Sequence, residues 1–105
     1  MTIDELLTLH EQTTEKARGI MRAKNSDYTA GSADPFANFR ASEALGVPGV
    51  LSILIRMMDK MQRVRSFVEL GELKVKAETV DDAFLDIVNY AILAQGMLKD
   101  EKAAA

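Results

Sequence analysis

The sequence predicts an all-α domain of three long helices and one shorter helix. Apolar residues recur at helical spacing in three long segments separated by turn formers. Helix signals bracket those segments: Thr2 with Glu5, Asp34 with Pro35, Pro48, and Thr79 with Asp82 at the starts, Gly46 and Gly71 at the ends. Strand-like alternation is confined to Leu73 and Val75, too little to build a sheet around. At 105 residues the chain reads as one domain. Its apolar coverage around Val50–Ile55 and Ala83–Ile92 exceeds what one short domain buries, so a homodimer or homotetramer is expected to complete the bundle. Closed four-helix packing within a protomer is the alternative.

The first helix opens on a Thr2–Glu5 capping box, and Leu6, Leu9, Ala17, Ile20 and Met21 carry it to about Lys24. His10, the single histidine, has no histidine or cysteine beside it and reads as a surface or packing residue. The polar stretch from Lys24 to Pro35 then reads as a loop. Its chemistry suits binding, with Lys24 for a phosphate, Tyr28 to stack or donate a bond, and Gly31 for a close turn. It lacks the Gly-x-x-x-x-Gly-Lys pattern of a P-loop and reads equally as a connector.

Asp34 is placed to cap a short helix beginning at Pro35, anchored by Phe36, Phe39 and Leu45 and stopped by Gly46. Asn38 and Arg40 on that helix either hold the neighbouring loop or contact a base or sugar. Pro48 opens the next helix, which runs to Leu70 and Gly71. Arg56, Asp59 and Arg63 share one of its faces with Lys60 nearby, forming either a salt-bridge network or a phosphate-binding ridge. Met57, Met58 and Met61 read as gap fillers between helices. The last helix is expected from Val80 to about Lys99, with residues 100–105 as a frayed tail.

That last helix carries the most informative pattern. Glu78, Asp82, Asp86 and Asn89 fall within roughly 80° of one another, while Val80, Phe84, Ile87, Val88 and Ala91 occupy much of the rest of the circumference. A helix so apolar is expected to be packed on several sides, leaving a narrow acidic groove. Asp82 and Asp86, one turn apart, repel unless a cation, a ligand or a basic side chain compensates them. Mg²⁺ suits such a pair, because it is often held by one or two carboxylates together with substrate phosphates. The bland alternative is a Thr79–Asp82 capping box and ordinary ion pairs, which accounts less well for Asp86, two turns in.

A formal charge of −3 argues against nonspecific nucleic-acid binding, yet a local basic groove on such a chain still admits a nucleotide. The lack of cysteine rules out thiolate chemistry and fits a reducing compartment. The acidic start has no signal-peptide pattern and no run reaches a membrane span, so a cytoplasmic location is expected.

Taken together, Lys24-x-x-Asp27-Tyr28, Asp34-x-x-x-Asn38-Phe39, Arg56-x-x-Asp59-Lys60-x-x-Arg63 and Glu78-x-x-x-Asp82-x-x-x-Asp86-x-x-Asn89-Tyr90 stand in a distinctive order. That order resembles the phage-associated nucleotide-modification domain family, whose helical core looks like the MazG-like and dimeric dUTPase all-α nucleoside triphosphate pyrophosphatases. The resemblance covers about Lys24 to Leu98. It implies a MazG-like bundle and magnesium-dependent hydrolysis of a nucleoside triphosphate, or a modified deoxynucleotide, to nucleoside monophosphate and pyrophosphate.

It further implies Asp59, Glu78, Asp82 and Asp86 as metal ligands, with Glu78, Asp82 and Asp86 catalytic and Glu78 able to orient water. Lys24, Arg56, Lys60 and Arg63 would hold the phosphates, with Asn38, Asn89 and Tyr28 or Tyr90 at sugar or base and Asp27 in the same substrate-binding set. Where the pyrophosphatases carry Glu-Glu-x-x-Glu, this chain has Arg56-x-x-Asp59-Lys60. That departure implies either a different magnesium site or nucleotide binding without hydrolysis. A noncatalytic helical assembly module is the competing class.

Overall fold

The computed structural model describes residues 1–29, 33–73 and 79–104, with residues 26–29 described as backbone alone. These form α1 (Ile3–Thr29), α2 (Ala37–Arg40) running into a 3₁₀ turn (Ala41–Leu45), α3 (Gly49–Leu70) and α4 (Val80–Ala104). None of the described residues is in a strand. The expected count of three long helices and one short one holds. Gly31, Val75 and Glu78 lie outside the described residues, as do the side chains of Asp27 and Tyr28.

Local signals set most of the boundaries. The Thr2 amide donates to Glu5 Oε2 at 2.9 Å and the Glu5 amide to Thr2 Oγ1 at 3.1 Å, closing the capping box of α1. Gly46 and Gly71 both take φ 78°, the left-handed conformation that ends a helix and that a Cβ disfavours. Pro48 sits just ahead of α3. The Phe36 amide donates to Asp34 Oδ1 at 3.0 Å within the turn ahead of α2, but α2 starts at Ala37 with Phe36 at its N-cap and no side-chain cap, so Asp34 orders the turn rather than capping the helix and Pro35 belongs to that turn.

Two ends differ from expectation. α1 continues past Lys24 to Thr29, because no glycine or proline intervenes before Gly31, so Lys24, Asp27 and Tyr28 stand on a helix rather than a loop. α4 runs past Lys99 and takes the stretch expected to fray, as far as Ala104, into its last turns.

α4 is the central element. Met97 lies beside Gly49 and Asp86 beside Lys60, so α4 runs antiparallel to α3. Asn89 meets Ala17 and Asp86 meets Lys24, so it is antiparallel to α1 as well. Phe39, Ile53, Ala94 and Met97 form the buried core, with Phe36, Val50, Tyr90 and Leu93 packed against it. Fully burying a side chain such as Ile53 is worth about 1.5–3 kcal/mol, so this small cluster joins α2, α3 and α4.

Arg40 pins the α2 end to it, with Nε 2.8 Å from Asp34 Oδ2 and Nη2 3.1 Å from Asp100 Oδ2 on α4. The apolar faces expected to be enclosed are only half so. Leu51, Leu54 and Ile55 on α3 and Phe84 and Ile92 on α4 are exposed.

Candidate functional site

Asp86 stands where α1 and α3 converge on α4. Its Oδ2 is 3.1 Å from Lys60 Nζ and its Oδ1 is 3.7 Å from Lys24 Nζ. The Lys60 and Asp86 side chains are only 19% and 20% exposed, whereas Lys24 is 46% exposed. Two ammonium groups therefore share one carboxylate, and the surplus positive charge faces a cavity of about 310 Å³ lined by Ile20, Lys24, Lys60, Arg63, Asp82 and Asp86 among others. Asp82 and Asp86 of α4 and Lys60 and Arg63 of α3 line this one cleft.

A second cavity of about 340 Å³ adjoins it, since Lys24 and Asp86 line both. Its walls are apolar at Met21, Pro35, Phe39, Tyr90 and Leu93, with Arg18, Arg22 and Asn25 contributed by α1. An apolar chamber with a few polar groups is the usual form of a small-molecule site. Arg18, Arg22 and Asn25 were not singled out from the sequence. Their i, i+4, i+7 spacing would have placed them on one face of α1, had the helix been followed beyond Lys24.

The ridge on α3 divides between roles. Lys60 and Arg63 line the smaller cavity, whereas the Arg56 guanidinium lies 4.9 Å from the Phe39 ring centroid in a cation–π contact. Asp59 is exposed and lines neither cavity, although it adjoins Lys60 in sequence. Asn38 is half-buried on α2 and lines neither. Asn89 reaches the larger cavity, but its Nδ2 donates to the Ala17 carbonyl at 2.9 Å, tying α4 to α1. Tyr90 lines the larger cavity and packs on the core. His10 is exposed, as its isolation in the sequence suggested.

Asp82 fulfils the capping role. The Thr79 amide donates to its Oδ2 at 3.0 Å, and its own amide donates to Thr79 Oγ1 at 3.2 Å. The backbone bond from Thr79, then the hydroxyl of the same residue, hold its carboxyl below the usual carboxylate range, with Lys16 adding to the effect. It also lines the smaller cavity, so the cap and the site are one residue. No group of three or more acidic or histidine side chains suited to a metal ion occurs among the described residues. Asp82 and Asp86 are the two carboxylates at the smaller cavity, and both are already engaged, by the Thr79 cap and by Lys24 and Lys60.

Residues 24–98 match the family model described as Nucleotide modification associated domain 1. The chain belongs to that family. Comparison with curated proteins gave no match, and comparison with solved structures gave none. The matched span of Nucleotide modification associated domain 1 begins at Lys24 and includes Phe39, Lys60, Arg63, Asp82, Asp86 and Tyr90. Arg18, Ile20, Met21 and Arg22 reach the cavities from the part of α1 that precedes it. Membership associates the chain with a nucleotide-related role. No single helix among the described residues is long and apolar enough to cross a membrane.

Proposed function

We propose that this domain binds a nucleotide across the two adjoining cavities, with the phosphates at Lys24, Lys60 and Arg63 and the base and sugar in the chamber walled by Phe39, Tyr90 and Leu93. One observation carries this reading. Together the cavities are lined by five basic side chains, Arg18, Arg22, Lys24, Lys60 and Arg63, against two acids, Asp82 and Asp86, on a chain whose formal charge is −3. Concentrated positive charge beside an aromatic-walled pocket suits a phosphorylated aromatic ligand, because charge-assisted bonds take the phosphates and ring faces take the base.

The more specific reading is magnesium-dependent release of nucleoside monophosphate and pyrophosphate. Its support is the presence of Asp82 and Asp86 on the wall of the phosphate cavity. A magnesium ion brought in with the phosphates would supply charge neutralisation and polarise a phosphoryl oxygen. The chain's own part is to hold the phosphates at Lys24, Lys60 and Arg63 and to keep the base in the apolar chamber.

Calorimetry over a panel of nucleoside triphosphates, with and without magnesium, tests both readings. Lys60→Met and Arg63→Met are each expected to weaken binding about tenfold or more, since a hydrogen bond to a charged group is worth about 1.5–3 kcal/mol. Asp86→Asn separates the two. Without magnesium it should tighten binding by freeing two lysines, and with magnesium it should abolish pyrophosphate release. If no nucleotide binds the folded wild-type chain under either condition, the site does not take nucleotides.

A further inference from the structure

α3 carries a second pattern that the cavities do not use. Leu51, Leu54, Met58, Met61, Arg65 and Val68 recur at alternating spacings of three and four, the seam of a coiled coil, and all six are exposed. Leu51 is 49%, Met58 60% and Val68 76% exposed, and Ile55 flanks the seam at 61%. Ile53 and Lys60, which face α4, lie roughly 120° around the helix from the centre of the seam. The seam therefore points away from the bundle.

The molecule as a whole is under-buried by an amount that can be stated. A compact monomer of 11.6 kDa exposes about 5,800 Å², yet this chain exposes 7708 Å². The excess is about 1,900 Å², within the roughly 1,000–2,500 Å² that each subunit of an obligate homodimer buries. Its radius of gyration is 15.6 Å, against about 13 Å for a compact domain of this length.

We infer that a second copy of this chain covers the α3 seam, pairing α3 with its counterpart in antiparallel register. A two-fold pairing needs a self-complementary surface, and a seam of matched leucine and methionine knobs is one. Arg65 decides the direction. It is the one charged residue in the seam, with Nε 3.0 Å from Glu69 Oε1 on its own helix. A parallel pair would set Arg65 against its counterpart, whereas the antiparallel pair sets it against Leu54 and brings Leu51 opposite Val68. The inference does not depend on what the cavities bind.

The absence of cysteine from the chain makes the test direct. Sedimentation equilibrium at micromolar concentration should give a mass at least twice 11.6 kDa, and the thermal midpoint should rise with protein concentration. A mixture of Leu51→Cys and Val68→Cys chains should form a mixed disulfide under mild oxidation, while neither forms one with itself. Leu54→Glu/Met58→Glu should give a monomer. Should that variant fail to fold, the cross-link and the concentration dependence still decide.

A wild-type monomer with a concentration-independent midpoint would overturn the inference. So would self-linking of Leu51→Cys or an oligomer unaffected by Leu54→Glu/Met58→Glu. A monomer that floats with phosphatidylcholine and phosphatidylglycerol vesicles would assign the face to lipid instead, and would equally overturn it.

Discussion

Asn89 is the one buried polar side chain among the described residues, and it joins two elements rather than meeting water. On an apolar helix such a residue reads as a ligand contact, because nothing within α4 explains it. The bond to the Ala17 carbonyl supplies that explanation only once α1 lies alongside. Asn89→Ala would remove the donor while the Ala17 carbonyl keeps its bond within α1, so the expected loss is about 0.5–1.5 kcal/mol, the net worth of one hydrogen bond. Urea denaturation followed by circular dichroism should show that loss, and an unchanged midpoint would mean that the α1–α4 contact contributes nothing. Asp86 shows the complementary case, in which the sequence pattern was informative because two lysines from two other helices reach it.

At the scale of elements, the α3–α4 pairing depends on a missing side chain. Gly49 opens α3 where the Met97 side chain and the Phe39 carbonyl crowd it, and a Cβ there would collide with the end of Met97. The methionine is flexible, but it is fully buried and the carbonyl at 3.2 Å is backbone, so only part of the strain relaxes. Gly49→Ala is expected to destabilise the fold by about 1–3 kcal/mol, the usual cost of overpacking. Chemical denaturation measures it, and adding Met97→Leu tests whether the clash is with that side chain. The sequence announced Gly46 and Gly71 as helix ends but offered no such sign for Gly49, whose neighbours across the contact are 10 and 48 residues away.

For the whole molecule, acid sensitivity is expected from two carboxylates, one in the turn ahead of α2 and one in the first turn of α4. The Phe36 amide, then the Arg40 guanidinium, lower the Asp34 pKa, and the Thr79 bonds lower that of Asp82. A carboxyl whose folded pKa lies below its unfolded one contributes stability that is present in full above the unfolded value. That contribution is lost as pH falls through the folded value. Both contributions should therefore be intact near neutrality and disappear below the ordinary carboxylate range, from about pH 4 downward. Thermal midpoints measured from pH 6 to pH 2 should fall, and Asp34→Asn/Asp82→Asn should flatten that fall. Identical acid limbs in variant and wild type would rule these two groups out as the cause.

Helix order, most helix ends and the all-α class were legible in the sequence, because caps, left-handed glycines and 3.6-residue periodicity act within a turn or two of where they are read. The family's motifs were legible on the same terms, as short spacings on single helices. What only the tertiary structure decided is which charged side chains meet. Asp59 and Lys60 are neighbours on α3, yet the 100° between them sends one to solvent and the other to Asp86 once Ile53 and Met97 have set how α3 sits on α4. Charge is pooled across helices far apart in the chain, and no local pattern encodes the rotation that brings those helices together.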